Sequence, residues 1–331
     1  MKAAVLEGKR KFVIEEVPEP VLEKDEVLIK VRYCGICGSD LHVFKEGARV
    51  GFGHEFSGDI IAIGSEVKGW KLGERVAVDP VVSCGECFWC QRGELGLCEQ
   101  YFIALVEYKG AFATYAKAKY YNLHKLPRGM SYEEGSIIEP TTCALHAIKV
   151  AGIQKGDVVA VLGLGPIGQL VARVAKASGA RAVYASEVSR IRLEMARDAV
   201  DEVIDVKLTN PVDRILELTD GRGPDIVFEC AGTVATTQQS VALVRKGGTV
   251  VIVAICFETV ELPVSNINLR ELTVKGSMCF SPGEYATALK LIRNKRIDVA
   301  PLLKRRMPLT KINEAFEMAL RGEGGKILIK P

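Results

Sequence analysis

Residues 157–179 read DVVAVLGLGPIGQLVARVAKASG, and this stretch restricts the possible folds more than any other. The run VVAVL has no polar alternation, which predicts a strand buried on both faces. Glycines interrupt it at 163, 165 and 168. Beyond them Ile167, Leu170, Val171, Val174 and Ala175 recur at helical spacing on one face. Five more apolar runs follow: AVYASE, EVIDV, DIVFECAG, TVVIVAI and LTVKG. Between them lie helix signals, with Ser189 as a cap and Pro211 as a first residue. Six strands alternating with helices predict a doubly wound parallel sheet, the Rossmann architecture of α/β domains.

The loop Gly163-Leu164-Gly165-Pro166-Ile167-Gly168 follows a strand and opens a helix, which is the context G-x-G-x-x-G requires. Gly163 permits the turn, Gly165 lets a pyrophosphate approach the backbone, and Gly168 lets helix and sheet pack closely. The helix N-terminus offers N–H groups and positive dipole to the phosphates. Glu187 ends the next strand, where its carboxylate can accept bonds from both hydroxyls of an adenosine ribose. It would repel a 2′-phosphate, so NAD is expected over NADP. Arg192 is a candidate to lie over the adenine, or else an exposed helical arginine.

With 331 residues, one such unit leaves room for a second domain. The first ~140 residues carry short β-like runs broken by glycine, among them FVIEEV, EVLIKVRYCG, SGDIIAIGSEV, ERVAVDP and GAFATYAKA. After Met278, EYATALKLIRNK and KINEAFEMALRGEG read as helices and KILIKP as a strand. The net charge is +3 with interspersed signs, so no nucleic-acid partner is expected. No run is long enough to span a membrane and the N-terminus lacks a signal-peptide pattern, so a cytoplasmic location is expected. Ten cysteines there point to metal ligands or core residues, not disulfides.

Four of those cysteines follow ligand spacing: Cys84-x2-Cys87-x2-Cys90-x7-Cys98. Four thiolates in such a span can surround one tetrahedral Zn2+ and leave no open position, which makes the metal structural. Spacing alone leaves an iron–sulfur cluster open. Cys37 and His54 lie in a second, glycine-broken stretch, and both residue types are good zinc ligands.

The run Cys34-Gly-Ile-Cys37-Gly-Ser-Asp-Leu-His42, then Gly53-His54-Glu55, the four-cysteine lobe, Glu139-Pro140 and GLGPIG occur in that order. Together they resemble the zinc-containing medium-chain alcohol dehydrogenases over essentially the whole chain. Glu139-Pro140 is similar to the butanediol, sorbitol and threonine dehydrogenase branch. The resemblance implies a β-rich GroES-like catalytic domain over 1–144 and 277–331 and an NAD-binding domain over 145–276. It places the active site in a cleft whose closure would exclude water. It implies two zinc ions per chain and NAD as cofactors. The catalytic zinc would sit on Cys37 and His54 with Glu55 or Glu139, the latter slightly favoured, and Asp40 would orient His54 or cap a helix. Ser39 would take the substrate proton and pass it through the nicotinamide ribose to His42. Further cofactor contacts would come from Val253, Ala254 and Ile255 after the fifth strand, Ser277, Met278 and Cys279 after the sixth, and Lys326 at the pyrophosphate.

The implied activity is hydride transfer between NAD(H) and a secondary alcohol, vicinal diol or polyol, in a homodimer or homotetramer. An L-threonine 3-dehydrogenase is the alternative, with Arg49 as carboxylate partner. A zinc-ribbon interaction module is the alternative from another class. The Cys37–His54 segment is shorter than the family usually has, so the pocket is expected to be more open or walled by Phe44, Phe52 and Phe56.

Overall fold

The computed structural model describes residues 1–47, 52–101 and 110–331. The chain divides into two compact units, one of Met1–Glu139, Ser281–Lys295 and Val299–Pro331, the other of Pro140–Phe280 and Arg296–Asp298. The first crossing falls inside the helix Ile138–Ala151, at Glu139/Pro140. Arg296–Asp298 belongs to the second unit, where buried Arg173 donates from Nε to the Asp298 carbonyl at 2.7 Å.

The first unit opens with strands β1 (Lys2–Gly8), β2 (Lys11–Glu16), β3 (Glu26–Gly35), β4 (Glu55–Ile63), β5 (Arg75–Val78), β6 (Tyr115–Lys119) and β7 (Leu123–Lys125). The second unit holds β8 (Val158–Leu162), β9 (Ala182–Glu187), β10 (Glu202–Asp205), β11 (Ile226–Glu229), β12 (Thr249–Ile252) and β13 (Thr273–Gly276). The chain then completes the first unit with β14 (Arg305–Pro308) and β15 (Ile327–Lys330).

In the second unit the six strands form one parallel sheet in the order β10-β9-β8-β11-β12-β13, the doubly wound order. All five residues of central β8 are buried, as an uninterrupted apolar strand requires when helices cover both faces. The helix Pro166–Ala177 buries Leu170, Val171, Val174 and Ala175 completely, whereas Ile167 at its first turn is only half-buried. Asn210 caps the helix that Pro211 opens, its side chain accepting from the Val212 N–H. Edge strand β13 has all four residues exposed.

The first unit is built on the sheet β14-β15-β3-β4-β5-β7, with β6 also pairing β3. Phe12, Phe44, Phe52 and Phe316 interlock at its centre, with Phe12 and Phe44 stacked at 5.3 Å and Phe52 edge-on to Phe12 at 5.0 Å. Of the two alternatives for the pocket, a more open site or a wall of Phe44, Phe52 and Phe56, the second meets a difficulty, because these three are buried core residues. Aromatic rings bury too much apolar area to be left at a wet mouth when a core is within reach.

The register does the positioning. Antiparallel β3 and β4 pair Gly35 with Glu55, and β15 pairs Leu328 with Gly35. Three segments far apart in sequence therefore meet at one point.

Beyond β5, Asp79 turns the chain, its Oδ1 accepting from the Val81 N–H at 2.9 Å, while Asn122 bonds the carbonyls of Asp79 and Val81. The Tyr285 hydroxyl donates to the Val78 carbonyl at 3.0 Å, and its ring stacks on His124 at 4.4 Å. Burial pushes the Asp79 carboxyl up to about 7, against the opposing pull of the Val81 amide. A raised acid keeps its proton longer when folded, so its stabilising contribution is greatest near pH 4 and is lost as pH rises towards 7. Asp79→Asn keeps the Val81 bond and removes the charge. At pH 8 it should raise stability by on the order of 1–3 kcal/mol, with a smaller gain at pH 5, as read by thermal unfolding at both pH values.

Candidate metal centres and nucleotide-binding loop

Cys84, Cys87, Cys90 and Cys98 converge so that all four sulfurs lie within 4.8 Å of one another. Cys84 and Cys90 are 3.8 Å apart, Cys87 and Cys90 3.5 Å, Cys84 and Cys98 3.6 Å. A tetrahedron with ~2.3 Å zinc–sulfur bonds has edges of about 3.8 Å, so the cage fits that ion. Backbone N–H groups of Cys84, Cys87 and Gln100 point at these sulfurs at 3.3–3.4 Å. The amides of Glu99 and Cys90 draw Cys87 down to about 6, while burial pushes Cys90 up to about 12. One thiolate forms readily and the next is resisted, which is what a cation relieves. The lobe has little apolar core of its own, and Phe88 and Leu97 are exposed.

The first unit also gathers Cys37, His54 and Glu55, with one ligand atom of each within 4.8 Å of the others. Cys37 precedes the helix Gly38–Glu46 as its N-cap. Asp40 at the third helical position is buried and accepts from the Cys37 N–H at 2.9 Å. Its Oδ1 also stands 3.7 Å from His54 Nδ1. The two roles weighed for Asp40, cap and histidine neighbour, thus occur together, and Nε2 of His54 is left for an ion. Burial opposes charge on His54, but the Cys37 sulfur and Asp40 outweigh it and hold the imidazole well above its ordinary range. Glu139 is buried and acts in the same direction on His54. Such an anion-rich, dry cradle suits a divalent metal.

Glu55 is fully buried, with Lys326 Nζ 2.6 Å from each carboxylate oxygen; only Oε1 is aligned as a hydrogen-bond acceptor. The ammonium also donates to the Ile36 carbonyl at 3.0 Å. Lys326, expected at a pyrophosphate, is instead 2% exposed inside the first unit. Its position two residues before the Leu328–Gly35 pair turns it onto Glu55. The two residues are separated by 271 positions, so no local pattern links them. Gly35 is its sequence-visible trace, because a Cβ there would stand 2.2 Å from Glu55 Oε2 and 3.2 Å from Lys326 Cδ.

Among the proton-relay candidates, Ser39 is exposed and His42 half-buried on the helix after Cys37. Arg49 lies outside the described residues.

In the second unit Gly163 adopts φ +93, and a Cβ at Gly168 would meet the Gly163 carbonyl at 1.9 Å. Gly165 faces open space apart from the Arg192 guanidinium at 3.8 Å. Leu164, within the loop, donates its N–H to Glu187 Oε2 at 2.9 Å, while Oε1 accepts from Val188 and Ser189. Arg192 Nη1 is 3.8 Å from Glu187 Oε2, so arginine and carboxylate sit together at the glycine loop. Val253 and Ala254 donate to the Glu229 carbonyl just beyond β12, followed by half-exposed Ile255. Ser277, Met278 and Cys279 follow β13, Cys279 in the left-handed region at φ +50. The sequence reading missed buried Glu229, whose Oε1 accepts from Ala231, Gly232 and the Thr236 hydroxyl and shapes the neighbouring loop. An acidic residue closing an otherwise apolar strand was the available signal.

Cys90→Ser removes one ligand of the four-sulfur cage. The variant should carry about one zinc fewer per chain by atomic absorption, and its 84–98 lobe should become the first site of proteolytic nicking. Unchanged metal content would show that the cage holds no ion.

Comparisons with known proteins agree with this geometry. The alcohol dehydrogenase GroES-like domain family matches residues 23–128, and the zinc-binding dehydrogenase family matches residues 166–294. The chain is 35% identical to a sorbitol dehydrogenase of Halalkalibacterium halodurans, covering 100% of this chain and 99% of that one. It superposes on 2R,3R-butanediol dehydrogenase from Bacillus subtilis with a TM-score of 0.89 at 33% identity, covering 100% and 99%. A zinc-binding dehydrogenase from Sinorhizobium meliloti 1021, solved with NADP bound, gives 0.92 at 31% identity, covering 100% and 99%. With its two metal cradles, its glycine loop and these full-length relatives, the chain belongs to the zinc-containing medium-chain alcohol dehydrogenase family.

Proposed function

We propose that the protein interconverts a vicinal diol or polyol and its hydroxyketone, using NAD(H) and a catalytic zinc. The observation that carries this reading is the ligand set. Ligand atoms of Cys37, His54 and Glu55 gather within 4.8 Å, buried Glu139 acts electrostatically on His54, and among the described residues no second thiolate belongs to the group. A zinc ion held there would act as a Lewis acid toward a carbinol oxygen, and NAD+ would accept the hydride. Harder oxygen donors favour a substrate that offers two oxygens over a simple alcohol.

The protein's own groups handle orientation and the proton. Asp40 fixes the His54 ring. Ser39 would take the hydroxyl proton and His42, three positions further along the same helix, would deliver it to solvent, with the nicotinamide ribose linking the two. Burial and then Lys45 hold His42 below the ordinary 6.5 of histidine, so it is neutral near pH 7 and able to accept a proton. Glu187 receives the adenosine ribose and disfavours a 2′-phosphate.

Uncovered β13, with its own Val274 exposed and exposed Val264 and Leu269 preceding it, supports a homodimer or homotetramer assembled through the sheet edge. All ten cysteines are free thiols, which supports a reducing, cytoplasmic setting. Among the described residues no helix is long and apolar enough to cross a membrane.

The test is NAD+ reduction with a panel of vicinal diols, polyols, L-threonine and simple secondary alcohols. Diols or polyols should give the highest kcat/KM; preference for monoalcohols or L-threonine would overturn the substrate assignment. Oxidation should slow on acidification once the pH falls below the ordinary histidine range and His42 becomes protonated, and His42→Gln should flatten that limb. Glu187→Gln should cut the preference for NAD+ over NADP+ by about tenfold or more, read as the ratio of kcat/KM values.

A further inference from the structure

The Lys326–Glu55 pair has no part in the chemistry described above. We infer that Lys326 is a positioning residue that holds Glu55 beside the catalytic metal instead of on it, leaving a coordination position for the substrate. The inference rests on the proposed zinc site at Cys37 and His54.

Three observations carry it. Glu55 is grouped with Cys37 and His54 within ligand reach, yet both its oxygens lie 2.6 Å from Lys326 Nζ. The ammonium is itself pinned by the Ile36 carbonyl, so it cannot follow the carboxylate toward a metal. The pair is dry, at 2% and 0% side-chain exposure, and Gly35 leaves the room it occupies. The Cys37 thiolate and the carboxylates of Glu55, Glu139 and Asp40 carry more negative charge than a divalent ion would offset, and Lys326 offsets part of the excess in a site where an uncompensated charge is costly.

Removing the ammonium while keeping the bulk should let Glu55 bind the ion. Lys326→Met should therefore release its inner metal to a chelator about tenfold or more slowly than wild type, the size typical of groups that act on metal ligands. This is the opposite of what structural damage would do. The visible absorption of the cobalt-substituted inner site should weaken as its coordination number rises, and kcat should fall. The four-cysteine site serves as internal reference and should be unchanged. Lys326→Arg should retain the wild-type release rate, and adding Glu55→Gln to Lys326→Met should abolish the slowing.

If Lys326→Met does not fold, Glu55→Gln tests the pair from the other side. It should release inner metal faster, with a cobalt spectrum of unchanged shape because Glu55 is not a ligand. Inner-site release from Lys326→Met that is unchanged or faster, or a shifted spectrum in Glu55→Gln, would overturn the inference alone. A wild-type protein that binds metal only at the four cysteines would overturn it together with the proposed function.

Discussion

Like charges forced together away from water dominate this molecule. A thiol, an imidazole and the Glu55 carboxylate crowd one cradle, with buried Glu139 acting on that imidazole, and four thiols crowd the other. In a low-dielectric interior neither set is stable without positive charge. The chain supplies part of it as Lys326, locked against Glu55. A divalent ion in each cradle would supply the remainder. Much of the surrounding architecture reads as a means of holding these groups in place despite their repulsion.

In the first unit the means is sheet register. Pairing Gly35 with Glu55 and Leu328 with Gly35 fixes three strands at one point. A slip of one residue on either ladder would send Glu55 or Lys326 to the opposite face. The phenylalanine cluster of Phe12, Phe44, Phe52 and Phe316 packs within this unit and resists such slips, since a close-packed aromatic core tolerates little movement. In the second unit the means is steric. A Cβ at Gly168 would strike the Gly163 carbonyl, so helix and strand approach more closely than any other residue allows. Glu187 then ties the next strand to the same loop through the Leu164 amide.

The readable parts of the sequence were those governed by short-range rules. Uninterrupted apolar runs identified the parallel sheet, and cysteine spacing identified the outer cradle, because four ligands within one loop need no distant partner. The aromatic residues near Cys37 were read as a pocket wall, since a local view shows apolar side chains beside a site but not the core that claims them. The family resemblance places Lys326 at the pyrophosphate, and nothing local in GGKILI opposes that until its partner, 271 positions away, is known.

By itself, the sequence determined the two-part organisation, the doubly wound sheet of apolar strands, the ligand spacing of the four cysteines, and the glycine loop with its acidic partner. All of these follow from spacing, periodicity and donor chemistry, whereas the pairing of Cys37 with His54 at a metal is what the family resemblance implies. Tertiary structure decided what Glu55, Lys326, Asp40 and the three phenylalanines do. Their roles depend on which side chain lies opposite which across a sheet, and no local pattern encodes that pairing.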